Sequence, residues 1–121
     1  MKCLRVYADE QGESHFSEME IAMSEMQVLP DLTVQRSNPT AVTSIQFLTI
    51  PGRASTDWHP APARQFVISL DTTLEIETSD GQRRQVLPSN VVLVEDTWGK
   101  GHKTRSPDDH PGTLVFIPLA E

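Results

Sequence analysis

The sequence predicts an all-β fold, a sandwich or barrel of short antiparallel strands. Nine prolines and six glycines are spread along the 121 residues and leave little room for long helices. Between them lie runs of strand length, rich in β-branched and aromatic residues, and several runs alternate between apolar and polar positions. Short strands at roughly ten-residue spacing are typical of sandwiches and barrels and not of βαβ folds.

The predicted strands are, in chain order, residues 2–8, 41–50, 65–70, 73–78, 83–87, 91–94 and 113–117. The clearest is the fourth, where residues 74–78 have the alternating sequence LEIET. Asp80-Gly81 then supplies a pair that tolerates positive φ in a tight turn. We therefore expect an antiparallel hairpin between residues 74–78 and 83–87.

Two N-terminal segments are less regular. In residues 16–28, Ser17 followed by two glutamates could begin a helix, whereas residues 19–23 alternate as a strand does, and we favour extended structure. Residues 29–39 contain two prolines and predict an irregular connection that wraps the barrel. No repeat or linker interrupts the chain, so residues 1–121 are expected to form one domain, with a motif-bearing core at about 41–118.

Composition and charge exclude several classes of function. A net charge of −7 and a pI near 5.0 predict repulsion from nucleic acid and from anionic membranes. Cys3 is the only cysteine, which rules out an intramolecular disulfide and a Cys-rich zinc or iron–sulfur site within one chain. With no secretory signal and no apolar run of membrane-spanning length, we expect a cytoplasmic protein.

Four histidines are the candidates for site chemistry: His15, His59, His102 and His110. Without a cysteine cluster, a transition-metal site would combine imidazole with carboxylate, amide or water ligands, which suits iron, manganese, nickel or zinc. His59 precedes one predicted strand and His102 follows another, and an antiparallel barrel can bring both to one mouth. His15 and His110 lie among polar loop residues and are expected to be solvated.

The stretches DWHPAPARQFVISL and ETSDGQRRQVLPSNVVLVEDTWGKGH resemble small single-domain cupins. The likeness covers about residues 52 to 106. It implies a cupin-like double-stranded β-helix, or jelly-roll barrel, with the N-terminal strands covering it. For the group of small cupins most similar to these stretches, the resemblance implies a fold and not an activity.

The match to the two cupin motifs is partial. The first motif usually supplies two histidines and a glutamate, and these positions fall on His59, Ala61 and Gln65. In the second motif, Gly99 and His102 match the Gly-x-x-His pattern, whereas Thr97 stands where proline is usual. The resemblance therefore implies two of the four usual metal ligands.

These departures leave two interpretations of the site open. Alanine cannot bind a metal, and glutamine offers a neutral amide oxygen where glutamate carries a charge. His59, Gln65 and His102 would then hold one divalent ion, with open positions for water, dioxygen or substrate. Alternatively, the same residues hydrogen-bond a ligand, or one another, without any metal.

The surroundings of these residues suggest a pocket and a partner. Trp58 and Trp98 each adjoin a site residue or its loop, and each could wall a small organic ligand or equally belong to the core. We expect Arg64 to point outward. Glu95 or Asp96, in a loop near the barrel mouth, could replace the missing carboxylate ligand or act as a base, although loop carboxylates are usually solvated.

The strand that begins at Gln65 has apolar residues on both faces. Alternation places Val67 and Ser69 on the face of Gln65, and it places Phe66, Ile68 and Leu70 on the opposite face. Either the N-terminal segment or a second subunit would cover that outer face. Since cupins are often dimers, the resemblance favours a homodimer.

Two classes of function follow. The first is a small-molecule-binding protein, metal-dependent and with oxygenase- or isomerase-type chemistry if it is an enzyme. The second is a non-catalytic, metal-free barrel for ligand binding, sensing or dimerisation. A ligand-sized cavity would separate both binding functions from a purely dimerising barrel.

Overall fold

Strands make up all the regular secondary structure of the protein. The computed structural model describes residues 1–121 and contains eleven strands and no helix. In chain order these are β1 (Lys2–Ala8), β2 (Ser14–Glu20), β3 (Met23–Leu29), β4 (Leu32–Ser37), β5 (Gln46–Ile50), β6 (Gln65–Ser69), β7 (Leu74–Thr78), β8 (Arg83–Val86), β9 (Val91–Val94), β10 (His102–Arg105) and β11 (Gly112–Pro118). The all-β prediction is confirmed. No helix that could span a membrane is present.

Two sheets enclose the core. The larger has six strands in the order β2-β1-β9-β6-β11-β5, and the smaller has three in the order β10-β7-β8. Neighbouring strands are antiparallel, except that β1 runs parallel to β9. Strands distant in sequence are neighbours in space, as in a jelly roll. The pairing does not close into a barrel, so the jelly roll is a sandwich of two sheets.

The N-terminal strands β1 and β2 extend the larger sheet and cover one end of the core. Val6 of β1 is fully buried, and its cross-strand partner Phe16 packs against the same core. The Ser14 hydroxyl donates to the Gly101 carbonyl at 2.7 Å and ties β2 to the chain just before β10. This placement agrees with the expectation that N-terminal strands cover the fold.

Alternation decides which side chains enter the core. Leu74 and Ile76 of β7 are buried, whereas the glutamates between and after them are not. Gln65 and Ser69 of β6 are also buried on the inner face. Burial of each valine, leucine or isoleucine side chain in the core stabilises the fold by about 1.5 to 3 kcal/mol. The core consists of Val6, Ala61, Leu74, Ile76, Val86, Val92, Val94 and Leu114.

The β7–β8 hairpin forms as the sequence predicts. Gly81 adopts a φ of +90° in the turn, a conformation that costs glycine little. An oxygen of the Asp80 carboxylate accepts hydrogen bonds from the Thr78 hydroxyl at 2.5 Å and from the Gln82 backbone N–H at 3.2 Å. These contacts are local in sequence, and His15 and Ser14 of β2 add contacts to Asp80 and Ser79 of the same turn.

The irregular connection predicted for residues 29–39 is wrong. This segment contains β4, which pairs with β3 in a separate two-stranded sheet. Pro30 and Asp31 occupy the tight turn and Pro39 follows β4, so the prolines bound the strand and do not interrupt it. The extended structure favoured for residues 16–28 is confirmed, with a break at residues 21 and 22.

Strand β10 was not predicted, and the strand expected at residues 41–50 begins only at Gln46. The β10 sequence HKTR is too polar to stand out as a strand. It is extended because its backbone pairs with β7, with His102 opposite Thr78. Tertiary pairing thus builds the strand that carries one of the candidate site residues.

Candidate functional site

A cavity of about 200 Å³ lies between the two sheets. Its floor is apolar and is contributed mainly by inward-facing side chains of both sheets, namely Val67, Leu74, Ile76, Val94, Leu114 and Phe116. His59, Gln65 and His102 line the same cavity. All three residues predicted from the sequence motifs therefore meet in one place.

Backbone pairing brings the two histidines together from positions 59 and 102. The His59 N–H donates to the His102 carbonyl at 3.1 Å, and the His102 N–H donates to the His59 carbonyl at 3.0 Å. The two imidazole rings lie 4.7 Å apart between centroids. Gly101 makes this approach feasible, because a Cβ at that position would overlap the carbonyl group of His59.

A buried carboxylate orients His102. Nδ1 of His102 lies 2.6 Å from Oδ2 of Asp96, and the Asp96 side chain is completely buried. The second oxygen of Asp96, Oδ1, has no hydrogen-bond partner. A carboxylate can only accept a hydrogen bond from the ring, so this contact assigns the proton to Nδ1 and leaves Nε2 as an acceptor when His102 is neutral.

His59 has the same ring arrangement with a different partner. Its Nδ1 donates to the Asp57 carbonyl at 2.9 Å, and its Nε2 makes no hydrogen bond within the chain. Both imidazoles therefore have Nδ1 engaged by the protein and Nε2 free for a ligand. Metal-binding histidines are commonly held in this way by a carboxylate or carbonyl on the other ring nitrogen.

Gln65 supplies the third polar group. The residue is 5% exposed, faces inward from the start of β6, and makes no side-chain hydrogen bond within the chain. Asp96 Oδ1 is the only fully buried polar side-chain atom without a partner, so the Gln65 amide atoms are open to the cavity and available to a ligand or water. Its neighbour in the first motif, Ala61, presents only a methyl group to the cavity.

The donor set is limited to these three residues. No group of three or more His, Cys, Asp and Glu side chains is close enough together to hold a metal ion. Two imidazole nitrogens and one amide oxygen would give a neutral, three-ligand site with open positions. The residues fit a weakly held divalent ion, and they equally fit an organic ligand.

Polar residues frame the opening of the cavity. Ser55 pairs with Arg105 through the backbone, and the Thr56 hydroxyl accepts a hydrogen bond from the Thr104 N–H at 2.9 Å. The Arg105 guanidinium is engaged by the Glu75 carboxylate through two contacts of 2.7 and 3.2 Å. The rim thus contains no unpaired cation directed at the cavity.

Neither Trp58 nor Trp98 lines the cavity. Their side chains therefore do not form a wall for a ligand in it. Trp58 is 40% exposed, with the Lys103 ammonium 5.0 Å from its ring. Trp98 is 52% exposed and packs against Gly12. Both aromatic rings stay on the surface beside the site.

Asp96 is the site residue that sequence reasoning undervalued. In the sequence, Asp96 and Glu95 are adjacent loop carboxylates that cannot be distinguished. In the structure, only Asp96 turns inward. Glu95 instead pairs with Arg5 and Arg64 on the outer side. Burial opposes its ionisation, yet the two guanidinium groups hold the pKa of Glu95 below its ordinary value. Arg64 points outward as predicted.

His110 is exposed, as predicted, whereas His15 is half-buried between two carboxylates. Its Nε2 lies 2.7 Å from Asp9 and its Nδ1 lies 2.9 Å from Asp80. The hydrogen bond to Asp9 raises the pKa of His15 above the ordinary 6.5, against desolvation and with help from Asp80. The histidine links the β1–β2 turn to the β7–β8 turn.

This raised pKa predicts a pH-dependent stability. The contribution of His15 is fully present below about pH 6.5 and is lost as the pH rises through its pKa in the folded protein. Relative to His15→Gln, the free energy of unfolding of the parent is expected to fall as the pH rises above about 6.5. Urea denaturation across this range measures the difference. His110→Gln is the control, and a parent-minus-variant difference that is flat with pH would contradict the prediction.

Comparisons with known proteins found solved structures of low sequence identity to this chain. No protein-family model and no curated protein matches the sequence. A cupin domain from Bordetella pertussis Tohama I is 17% identical, with 85% of this chain and 98% of that chain covered and a TM-score of 0.48. A second structure, from Neisseria meningitidis, is 12% identical, with 72% of this chain and 88% of that chain covered and a TM-score of 0.44.

Proposed function

We propose that this small cupin-like domain binds a small organic molecule between its two sheets, with the polar end of the ligand held by His59, Gln65 and His102. The observation that carries the proposal is the convergence of three polar side chains, each with unused hydrogen-bonding capacity, on one apolar cavity. Apolar cavities with a few convergent polar groups are the usual form of small-molecule sites. A protein whose only function was dimerisation would not need such a cavity.

The chemistry of the lining restricts the ligand class. The neutral tautomers of His59 and His102 offer acceptors at Nε2, and the Gln65 amide offers both a donor and an acceptor. Arg105 is neutralised by Glu75, so no free cation attracts a strong anion. These features favour a compact, mainly apolar molecule that carries a hydroxyl or a hydroxyl–carbonyl pair at one end.

A divalent metal ion is compatible with the same residues. Nε2 of His59, Nε2 of His102 and the amide oxygen of Gln65 would hold iron, manganese, nickel or zinc. Such an ion would polarise an oxygen of the ligand. Asp96 would hold the His102 ring in place and increase its basicity. Without a carboxylate ligand the site is expected to bind metal more weakly than a full cupin set does.

A second candidate function is proton transfer on the bound molecule, and the buried Asp96–His102 pair favours it. Nε2 of His102 would take a proton from the ligand, and the Asp96 carboxylate would stabilise the resulting imidazolium at Nδ1. The 2.6 Å contact between Asp96 Oδ2 and His102 Nδ1 supports this candidate, because a carboxylate that accepts from Nδ1 orients a histidine base. Binding alone needs no such buried charge.

Gln65→Leu tests the binding site. Leucine keeps the volume but removes the amide, so fragments that carry a hydroxyl–carbonyl pair are expected to bind at least about 10-fold more weakly. The experiment is a fragment screen by ligand-observed NMR, followed by titration of the hits into the parent and the variant. Gln85→Leu, on the exposed strand β8, is the matched control.

Two outcomes of this screen would count against the proposal: no fragment binds with a dissociation constant below about 1 mM, or Gln65→Leu and Gln85→Leu affect the hits equally. Prolonged incubation of the hits with the parent separates the two candidate functions. Chemical change of a fragment in the parent, lost in Asp96→Asn, would favour proton-transfer catalysis over binding.

A further inference from the structure

We propose that Ser106 forms a second polar end of the cavity, where its hydroxyl oxygen accepts a hydrogen bond from the ligand. The ligand is then bifunctional. One end carries the hydroxyl or hydroxyl–carbonyl pair that the two histidines and Gln65 hold, and the far end carries a hydrogen-bond donor such as a second hydroxyl. This inference rests on the proposed function and adds a specificity-determining residue to it.

Ser106 lies at the other end of the cavity wall that β10 forms. His102, Thr104 and Ser106 alternate along the chain, and all three line the cavity. The Ser106 N–H donates to the Ala54 carbonyl at 2.8 Å, so the extended pairing of this segment continues one residue beyond β10. At about 3.3 Å per residue, the Cα atoms of His102 and Ser106 lie about 13 Å apart. An elongated ligand therefore has polar protein groups near both of its ends.

A buried hydroxyl holds Ser106 from outside the cavity. The Oγ of Ser106, which is 3% exposed, lies 3.3 Å from Oγ1 of Thr72 in the loop between β6 and β7. Thr72 is fully buried and does not line the cavity. The Ser106 hydroxyl makes no other hydrogen bond within the chain, so its remaining capacity is available to a ligand.

The proton of the Thr72 hydroxyl is committed to Asp108. Thr72 Oγ1 donates to Oδ2 of Asp108 at 2.8 Å, and the Thr73 N–H donates to the same oxygen at 3.2 Å. The hydrogen bond from Thr72, and after it that from Thr73, holds the pKa of Asp108 below its ordinary value. Asp108 is therefore ionised at neutral pH and can only accept hydrogen bonds.

This commitment fixes the hydrogen-bonding role of Ser106. A hydroxyl has one proton to donate and two lone pairs to accept with. Since the Thr72 proton is bonded to Asp108, the contact between the two hydroxyls uses the proton of Ser106. Ser106 Oγ is then left with acceptor capacity alone. A ligand group at this end must donate a hydrogen bond, and an ether or carboxylate oxygen would meet a lone pair.

The two ends of the cavity therefore select different groups. Near the histidines, the free Nε2 atoms accept hydrogen bonds, and the Gln65 amide both donates and accepts. A hydroxyl–carbonyl pair fits that end. At Ser106 only a donor fits, and the Asp108 carboxylate polarises the Thr72 and Ser106 hydroxyls toward accepting from it. Between the ends the lining is apolar, so the ligand class is a short apolar chain with a different polar group at each end.

Titration of matched ligand pairs tests the Ser106 subsite. The probes are straight-chain α-hydroxyketones of increasing length, whose far end carries either a hydroxyl or a methoxy group. At the best length, the parent is expected to bind the hydroxyl member about 10-fold more tightly than its methoxy partner, because the ether offers no proton to Ser106. In Ser106→Ala this preference is expected to fall below about 3-fold. Isothermal titration calorimetry measures both affinities.

Ser69→Ala is the matched control. Ser69 is also fully buried and its hydroxyl donates to the Thr72 carbonyl, but it does not line the cavity. The preference for the hydroxyl member is expected to be retained in this variant. Thr72→Val tests the chain of hydroxyls directly, because the freed Ser106 proton can then donate to the methoxy oxygen. Its preference is also expected to fall below about 3-fold.

Gln65→Leu separates this inference from the proposed function. It is expected to weaken both members of a pair alike and to leave the preference between them unchanged. Equal binding of the two members by the parent, or a preference that survives Ser106→Ala, would overturn the Ser106 subsite while the site at the histidines stands. A preference lost equally in Ser69→Ala would overturn it too. If no α-hydroxyketone binds the parent, the proposed function fails and the subsite with it.

Discussion

Replacing Gly101 by alanine is expected to lower the free energy of unfolding by about 3 kcal/mol or more. Two effects combine at this position. Gly101 has a φ of +74°, which L-residues rarely adopt, and a Cβ would overlap the carbonyl of His59 and the nitrogen of Pro60. The backbone pairing between His59 and His102 would then have to open. Urea denaturation followed by far-ultraviolet circular dichroism measures the loss.

Gly81→Ala is the matched control for this substitution. Gly81 also has a positive φ, of +90°, but a Cβ there would meet no atom within 4 Å. Its cost is therefore the backbone conformation alone, about 1 to 2 kcal/mol. The difference between the two variants isolates the close approach of Gly101 to the His59 segment. Equal losses in both variants would show that the approach is not required for the fold.

His59→Ala and His102→Ala are each expected to lower the affinity of the site for a divalent metal ion at least about 100-fold. The three donor side chains carry no negative charge, and Gln65 is the only one besides the two histidines. Loss of either histidine would therefore leave two ligands at most. Asp96→Asn keeps the shape of the His102 partner but removes its charge, and is expected to lower the affinity about 10-fold.

The measurement is elemental analysis of untagged protein after separate incubation with iron, manganese, nickel and zinc, followed by dialysis. His110→Ala is the control, because that ring is exposed and contacts only the carbonyl of Pro111. If the parent retains no metal, or if all variants retain it equally, the metal-dependent form of the proposal fails. The metal-free binding site then becomes the preferred function.

Much of the fold could be predicted from the local sequence. Alternation in residues 74–78 and the Asp80-Gly81 turn fixed the β7–β8 hairpin, because each strand has one face that must be buried. The two prolines in residues 29–39 predicted irregular structure, whereas the segment forms β4. In fact Pro30 lies in a tight turn and Pro39 beyond the end of β4, where neither removes a ladder hydrogen bond.

The site could be predicted from the sequence only in part. His59, Gln65 and His102 stood at motif positions, and the structure brings them to one cavity. Asp96 and Glu95 are adjacent carboxylates, and local sequence cannot say which of them turns inward. Trp58 and Trp98 are neighbours of site residues in sequence, but their rings extend to the surface.

Periodicity and local backbone preferences are enough to predict the fold class, the positions of the tight turns and the residue types available to the site. Three features follow only from the three-dimensional arrangement: Asp96 is buried against His102, β10 forms at all, and the β3–β4 hairpin pairs with no other strand. Each of these depends on contacts between residues distant in sequence, and such contacts leave no periodic signal in the chain.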